Sequence, residues 1–323
     1  MTSIAKAELH CHIEGTVTPA LVGRFAGEHK MEIPDTLFDG DGGYAWSGFQ
    51  GFLAAYDAVS EFIRTAENYR DIIYEYLASV AREGAIYVEV FTSVDHASRV
   101  GISYGELLDA LAQGIDDAEA EFAIVCRMIV TCVRHLGPEQ ALDDARVALA
   151  NHHPYVVGFG MGGDETRYSF EEFAPAFSLM HEAGLACTVH AGEVAGPESV
   201  MQALDGLPVS RIGHGVSSAE DPKLIERLVA KGIVLEVCPG SNLALGIYDS
   251  PESHPLNRLR AAGVKVTLGS DDPPFFRTTI GAEYERARRD FGLSEEDLLA
   301  ITATAIDAAF VDDATKKRLR TRL

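Results

Sequence analysis

"LACTVHAGEVAGPESVMQALDGLPVSRIGHG", residues 185–215, holds two short apolar runs, each closing on a histidine: His190 ends the first and His214 the second. The runs do not alternate with polar residues, which marks strands covered on both faces, as in parallel sheets. The stretch between them is long enough for one helix. The same unit recurs on either side. Runs open at residues 155, 185, 210, 232 and 263, between 22 and 31 residues apart, the length of one strand–helix unit.

The remaining runs complete a set of eight. Upstream lie "AELHCHI" (7–13), "AIYVEVFTS" (85–93) and "FAIVCRMIVTCV" (122–133); "YVVGFGMGG" (155–163) precedes the opening stretch, and "GIVLEVCPGSN" (232–242) and "GVKVTLGSDDPP" (263–274) follow it. Amphipathic helices are predicted between them. "SFEEFAPAFSLMHEAG" (169–184) starts on a Ser cap with Glu three residues later, a capping box, and ends on Gly. "DPKLIERLVAKG" (221–232) has Asp at the cap, Pro at the first helical position and Gly after the end. Eight strands alternating with helices predict a (β/α)8 TIM barrel, one domain over residues 1–323. An open doubly wound sheet is the alternative, weakened because no GxGxxG follows the first strand. Strands one and two are unusually far apart. The gap holds an aromatic-rich, helix-patterned segment, 44–84, read as a helical cap that shields the barrel mouth from water.

Composition narrows the partners. Forty-nine acidic residues against 27 basic ones give a net charge of −22, which repels phosphate backbones and anionic headgroups. Nucleic acid and membrane are therefore not expected as partners; a neutral or cationic small molecule is. Five cysteines without a CxxC pair read as reduced core residues. The stretch "MTSIAKAELH" has no apolar core of a secretory leader, and no apolar run reaches the ~18 residues of a spanning helix. A cytoplasmic enzyme is the expectation.

In such a barrel the chemistry sits at the C-terminal ends of the strands, and that is where the polar residues gather. His10 and His12 fall two apart on strand one and so share a face. His190 ends strand five, His214 ends strand six, and strand eight ends in the doublet Asp271–Asp272. Glu14 and Glu193 add carboxylates. Imidazole nitrogens with a carboxylate oxygen suit zinc, with one position left for water. His10, His12, His190 and Asp271 are the predicted ligands, and His214 is placed to deprotonate that water. Glu193, three residues past His190, is directed at substrate as a general acid. His29, His96, His152, His153, His181 and His254 are read as solvated, while His135 follows strand three and is a candidate pocket residue.

The motifs "ELHCHIEGT", "GMGGDE", "HAGE", "RIGHG", "CPGSN" and "GSDDPPF" follow one another from residue 8 to residue 276. In this order the chain resembles the adenosine deaminase family of metal-dependent amidohydrolases. The resemblance implies a zinc barrel in which Glu193 protonates purine N1, His214 assists the attacking water, Asp272 contacts N7 and the Gly163 backbone contacts N3. It also places His12 and Glu14 on the substrate side. Adenosine deaminases carry Asp where this chain has Glu14, and Glu there is common in relatives that take free adenine. "GGDE" (162–165) and Gly213 are closer to the nucleoside branch, and Gly160 stands where the family has Asp. The balance of motifs favours adenosine or 2′-deoxyadenosine, with adenine, or another aminopurine or cyclic amide, as the alternative. A non-catalytic binding module would be expected to have lost part of the ligand, acid and base set, which is complete here.

Overall fold

The computed structural model describes residues 4–323. Residues 1–3, the first of the "MTSIAKAELH" stretch, lie outside the described residues. Eight parallel strands are hydrogen-bonded in chain order: β1 Lys6–Glu8, β2 Ala85–Ser93, β3 Val125–Val133, β4 Val156–Gly162, β5 Ala186–Ala191, β6 Arg211–His214, β7 Val234–Val237 and β8 Lys265–Leu268. Helices separate them and cover the outside, which is why the strand runs are apolar on both faces. This is the (β/α)8 barrel that the spacing predicts. The predicted helices at 169–184 and 221–232 form as Phe170–Glu182 and Pro222–Lys231, with Ser169 and Asp221 at their caps and left-handed Gly232 ending the second.

Strands β1, β7 and β8 are shorter than their apolar runs. Past Val237, Pro239 starts a short helix, Pro239–Ala244, and past Leu268, Pro273 starts another, Pro273–Phe276; proline at the first helical turn ends the extended run. β1 and β8 close the barrel beyond their own ends. Asp271 donates its N–H to the His10 carbonyl at 3.1 Å, and His12 donates its N–H to the Asp271 carbonyl at 3.0 Å. The Glu8 carboxylate reinforces this seam, accepting from the Ser270 N–H at 2.7 Å, the Ser270 hydroxyl at 2.6 Å and the Tyr76 hydroxyl.

Segment 44–84 divides into two helices with different positions. Gly48–Ser60 lies over the mouth, as the cap reading anticipates. Ala66–Arg82 instead packs against helix Tyr104–Phe122 and β2 and belongs to the outer ring. The break falls at Thr65, whose side chain and Asn68 form a capping box. Both helices are aromatic and amphipathic, so pattern alone does not separate them.

Inside the barrel, Arg211 is almost fully buried between Glu89 and Glu236, 2.6 Å from each, and its guanidinium lies 3.5 Å from the Phe310 ring centre. Behind β2 and β3 a second acidic contact is buried: Asp144 faces Asp95, and one carboxylate oxygen of each lacks a partner. Burial, with the Asp95 charge added, pushes the Asp144 carboxyl up to about 7. A folded-state value above the unfolded one means stability is present at low pH and lost as pH rises from about 4 to about 7. Replacing Asp144 by Asn removes that loss. The melting temperature of Asp144→Asn, relative to the native protein, should therefore rise between pH 5 and pH 8, measured by thermal unfolding; a constant difference would contradict it.

Candidate active site

The seam between β1 and β8 brings His10 and His12 beside Asp271, and β5 and β6 add His190 and His214 in adjacent register. β6 also supplies Gly213, where a side chain would strike the His10 ring at 2.8 Å. Asp271 and His214 both take left-handed backbone conformations, φ +64° and +58°. Such conformations are costly for residues with a Cβ and cluster at functional sites.

The imidazole nitrogens converge. His10 Nε2 and His12 Nε2 each lie 3.1 Å from His190 Nε2, and each lies 3.5 Å from Asp271 Oδ1. His10 donates from Nδ1 to Glu236 at 2.8 Å, and His190 donates from Nδ1 to the Met161 carbonyl at 2.9 Å. These partners leave the Nε2 atoms of the rings facing one another. Burial, then the His10 charge, lowers His190 to about 4, and burial, then the His190 charge, holds His12 well below the usual imidazole range. Burial opposes charge on His10, but the hydrogen-bonded Asp271 and Glu236 carboxylates outweigh it and lift that ring to about 9. One proton on His10 serves only one of these contacts; a divalent cation serves all four atoms. The edges of a tetrahedron with ligand distances near 2.0–2.1 Å are roughly 3.3–3.4 Å, close to the four separations here. The donor set therefore fits a metal ion, and Glu236 and the Met161 carbonyl fix the orientation of the two rings. His214 also comes close. Its ligand atom, with those of His10, His190 and Asp271, falls in one group within 4.8 Å, and His12, Asp271 and Asp272 form another.

The carboxyls divide into two protonation states. Burial opposes ionisation of Asp271, yet its hydrogen bond to His10 and the other imidazoles hold it well below the usual carboxylate range. Burial, then the Asp271 charge, pushes Glu193 and Asp272 well above it. Glu193 Oε2 lies 3.7 Å from His214 Nε2, and His214 Nε2 lies 3.9 Å from Asp271 Oδ2. Asp272 Oδ1 is buried without a partner. It has room only because residue 15 is glycine, where a Cβ would stand 1.8 Å from that oxygen. A protonated acid beside an ionised carboxylate is the arrangement expected where acid and base roles are split.

His12, His190, Glu193, His214, Asp271 and Asp272 line one cavity together with Phe91, Gly162, Gly163 and His135. Phe49, Phe52, Leu53, Tyr56 and Asp57 of the cap helix form its roof. Glu14 is buried in its wall, accepting hydrogen bonds from Tyr56 at 3.1 Å and Tyr69 at 3.4 Å. His96, expected in solvent, is buried in the lining, 3.2 Å from Asp57. Its helix, Val94–Arg99, begins directly at the end of β2. His254 is also buried, bonded to Asn242 at 3.1 Å. Neither burial has a local sequence signal. Glu236, Glu165 and Arg211 were absent from the predicted site. For Glu236 a signal exists: a lone carboxylate inside an apolar strand run must find a buried partner.

A parallel barrel with an imidazole–carboxylate cluster on its C-terminal rim is the architecture of amidohydrolase-type deaminases. The family model described as adenosine deaminase matches residues 5–323, so the chain belongs to the adenosine deaminase family. It is a hydrolase acting on a C–N bond of a cyclic amidine. It is 50% identical to an adenine deaminase of Mesorhizobium japonicum over 318 residues, 98% of each chain. It is 49% identical to one of Chelativorans over 320 residues, 99% of this chain and 98% of the other. Among solved structures it resembles an adenine deaminase from Arthrobacter aurescens (TM-score 0.91, 29% identity, 98% and 97% covered). A zinc-bound amidohydrolase from Burkholderia ambifaria is similarly close (TM-score 0.90, 29% identity, 99% and 89% covered).

Removing Glu236 frees the His10 ring and leaves Arg211 short of one carboxylate. Glu236→Ala should weaken retention of an added divalent metal ion roughly 10–100-fold, read by competition with a chromogenic chelator. Unchanged retention would show that Glu236 does not orient this ligand.

Proposed function

We propose that the chain is an adenine deaminase, converting adenine and water to hypoxanthine and ammonia with one zinc ion held by His10, His12, His190 and Asp271. The motifs taken alone favour adenosine, whereas the full-length relatives weigh toward the free base. The observation that carries the choice is Glu14. Its carboxyl is buried and tied to Tyr56 and Tyr69, at the position where the shorter Asp marks adenosine deaminases. A long acidic side chain held there closes the cavity around a base. A small uncharged base also suits a chain with a net charge of −22.

When bound, zinc supplies the Lewis acidity that makes water a nucleophile near neutral pH. The protein groups do the rest. His214, kept uncharged chiefly by burial, orients the water and accepts its proton. Glu193, kept protonated chiefly by burial, gives its proton to ring N1, which makes C6 electrophilic. Asp272, whose Oδ1 has no other partner, meets N7, and the Gly163 N–H meets N3. The water oxygen adds at C6, His214 passes the proton it accepted to the amino nitrogen, ammonia leaves as the C6–N bond breaks, and the remaining hydroxyl proton returns to the Glu193 carboxylate as the C6 carbonyl forms. The cap helix excludes bulk water from these transfers.

Rates on adenine, adenosine and 2′-deoxyadenosine, followed by ultraviolet absorbance, test the substrate. Adenine should lead in kcat/KM by about 100-fold or more, an aspiration of roughly 2.7 kcal/mol in transition-state binding. Glu14→Asp should narrow that ratio. A native enzyme that leaves adenine unchanged would overturn the reading. Glu193→Gln should lose roughly 10²–10⁴ in kcat while retaining one zinc per chain by metal analysis.

A further inference from the structure

The Glu193 carboxyl has no hydrogen bond to another side chain among the described residues, and its nearest ion-pair contact is His214 at 3.7 Å. Its direction is therefore set by its backbone. That backbone winds around a different carboxylate. Glu165, buried at 4% exposure just past β4, accepts hydrogen bonds from the N–H groups of Glu193 at 3.1 Å, Val194 at 3.0 Å and Ala195 at 3.1 Å through Oε2. Its Oε1 accepts from the Gly192 N–H and from the hydroxyl of Ser199, in the first turn of helix Pro197–Gly206. Five donors from one loop end on two oxygens. Buried backbone N–H groups need acceptors, and this loop finds four of its own on a single side chain.

We propose that Glu165 is the positioning residue of this enzyme, holding the loop after β5 so that Glu193 meets the substrate ring. The proposal rests on the reading of Glu193 as proton donor. An ionised carboxylate is required, because it offers acceptor sites only. Gln in its place has the same shape, but its NH2 group must face either the Gly192 and Ser199 donors or the other three. The loop then loses part of its anchorage and Glu193 swings from its station, while the zinc ligands, which come from other strands or precede the loop, stay in place.

The test is a double-mutant cycle on the zinc-loaded enzyme with adenine: native, Glu165→Gln, Glu193→Gln and the pair. Glu165→Gln should lower kcat roughly 10²-fold, with KM within about 3-fold, one zinc per chain and an unchanged far-ultraviolet circular dichroism spectrum. In the Glu193→Gln background the same change should cost less than about 3-fold, because the group it positions is already gone. Equal losses in both backgrounds would mean a general structural role and overturn the proposal, as would a Glu165→Gln enzyme that keeps native kcat. If Glu165→Gln fails to fold, Ser199→Ala, which removes one donor only, takes its place with a smaller kcat loss expected and the same background comparison deciding. A failure of the proton-donor reading is distinct: there Glu193→Gln itself would retain native kcat.

Discussion

Closure of the barrel between β1 and β8 is made by the backbone of His10, His12 and Asp271, whose side chains converge in the cavity. Asp271 is hydrogen-bonded through its N–H to His10 and through its carbonyl to His12. The last seam of the sheet and the convergence of two imidazoles on one carboxylate are thus a single event. Asp271 adopts φ +64° to make it, and Glu8 clamps the preceding residue, Ser270, from β1. A left-handed non-glycine residue persists only where its surroundings over-determine it. Here the surroundings are the ladder on one side and a buried carboxylate on the other.

From that seam the electrostatics of the cavity follow. Four imidazole rings and the Asp271 carboxylate share a small volume. Burial keeps His12, His190 and His214 uncharged. The same burial, with the Asp271 charge beside them, pushes the Glu193 and Asp272 carboxyls well above the usual carboxylate range. The carboxyls are therefore sorted by their neighbours and not by residue type. The acidic interior extends downward as Glu236, Arg211 and Glu89. These link His10 to Phe310 at the other end of the barrel. Arg211 makes that chain tolerable, since buried carboxylates without a counter-charge would be strongly destabilising.

Much of this was legible in the sequence. Continuous apolar runs at regular spacing identify parallel strands, and the histidines and carboxylates sit at their ends, so "HCH", "HAGE", "RIGHG" and "GSDDP" point to one rim. Where the reading fell short, the information was not local. His96 lies on a helix that reads as solvated, and it is buried because the cap helix folds over it. Ala66–Arg82 has the same amphipathic pattern as the cap helix before it, yet packs into the outer ring. Glu165 sits in a recognisable motif, but its importance lies in the five donors that another loop directs at it.

The amino-acid sequence by itself determined the barrel, its rim of ligand types and the family, because strand period, helix caps and residue chemistry are written in short windows. Only the tertiary structure decided which nitrogens face one another, which way each buried carboxyl is shifted and which side chain gathers the N–H groups of the loop after β5. Those depend on distances of 3–4 Å between residues far apart in the chain, and on burial that no window of sequence contains. Glu14 shows the boundary. Its identity raises the question of base or nucleoside, and its place between Tyr56 and Tyr69 bears on the answer.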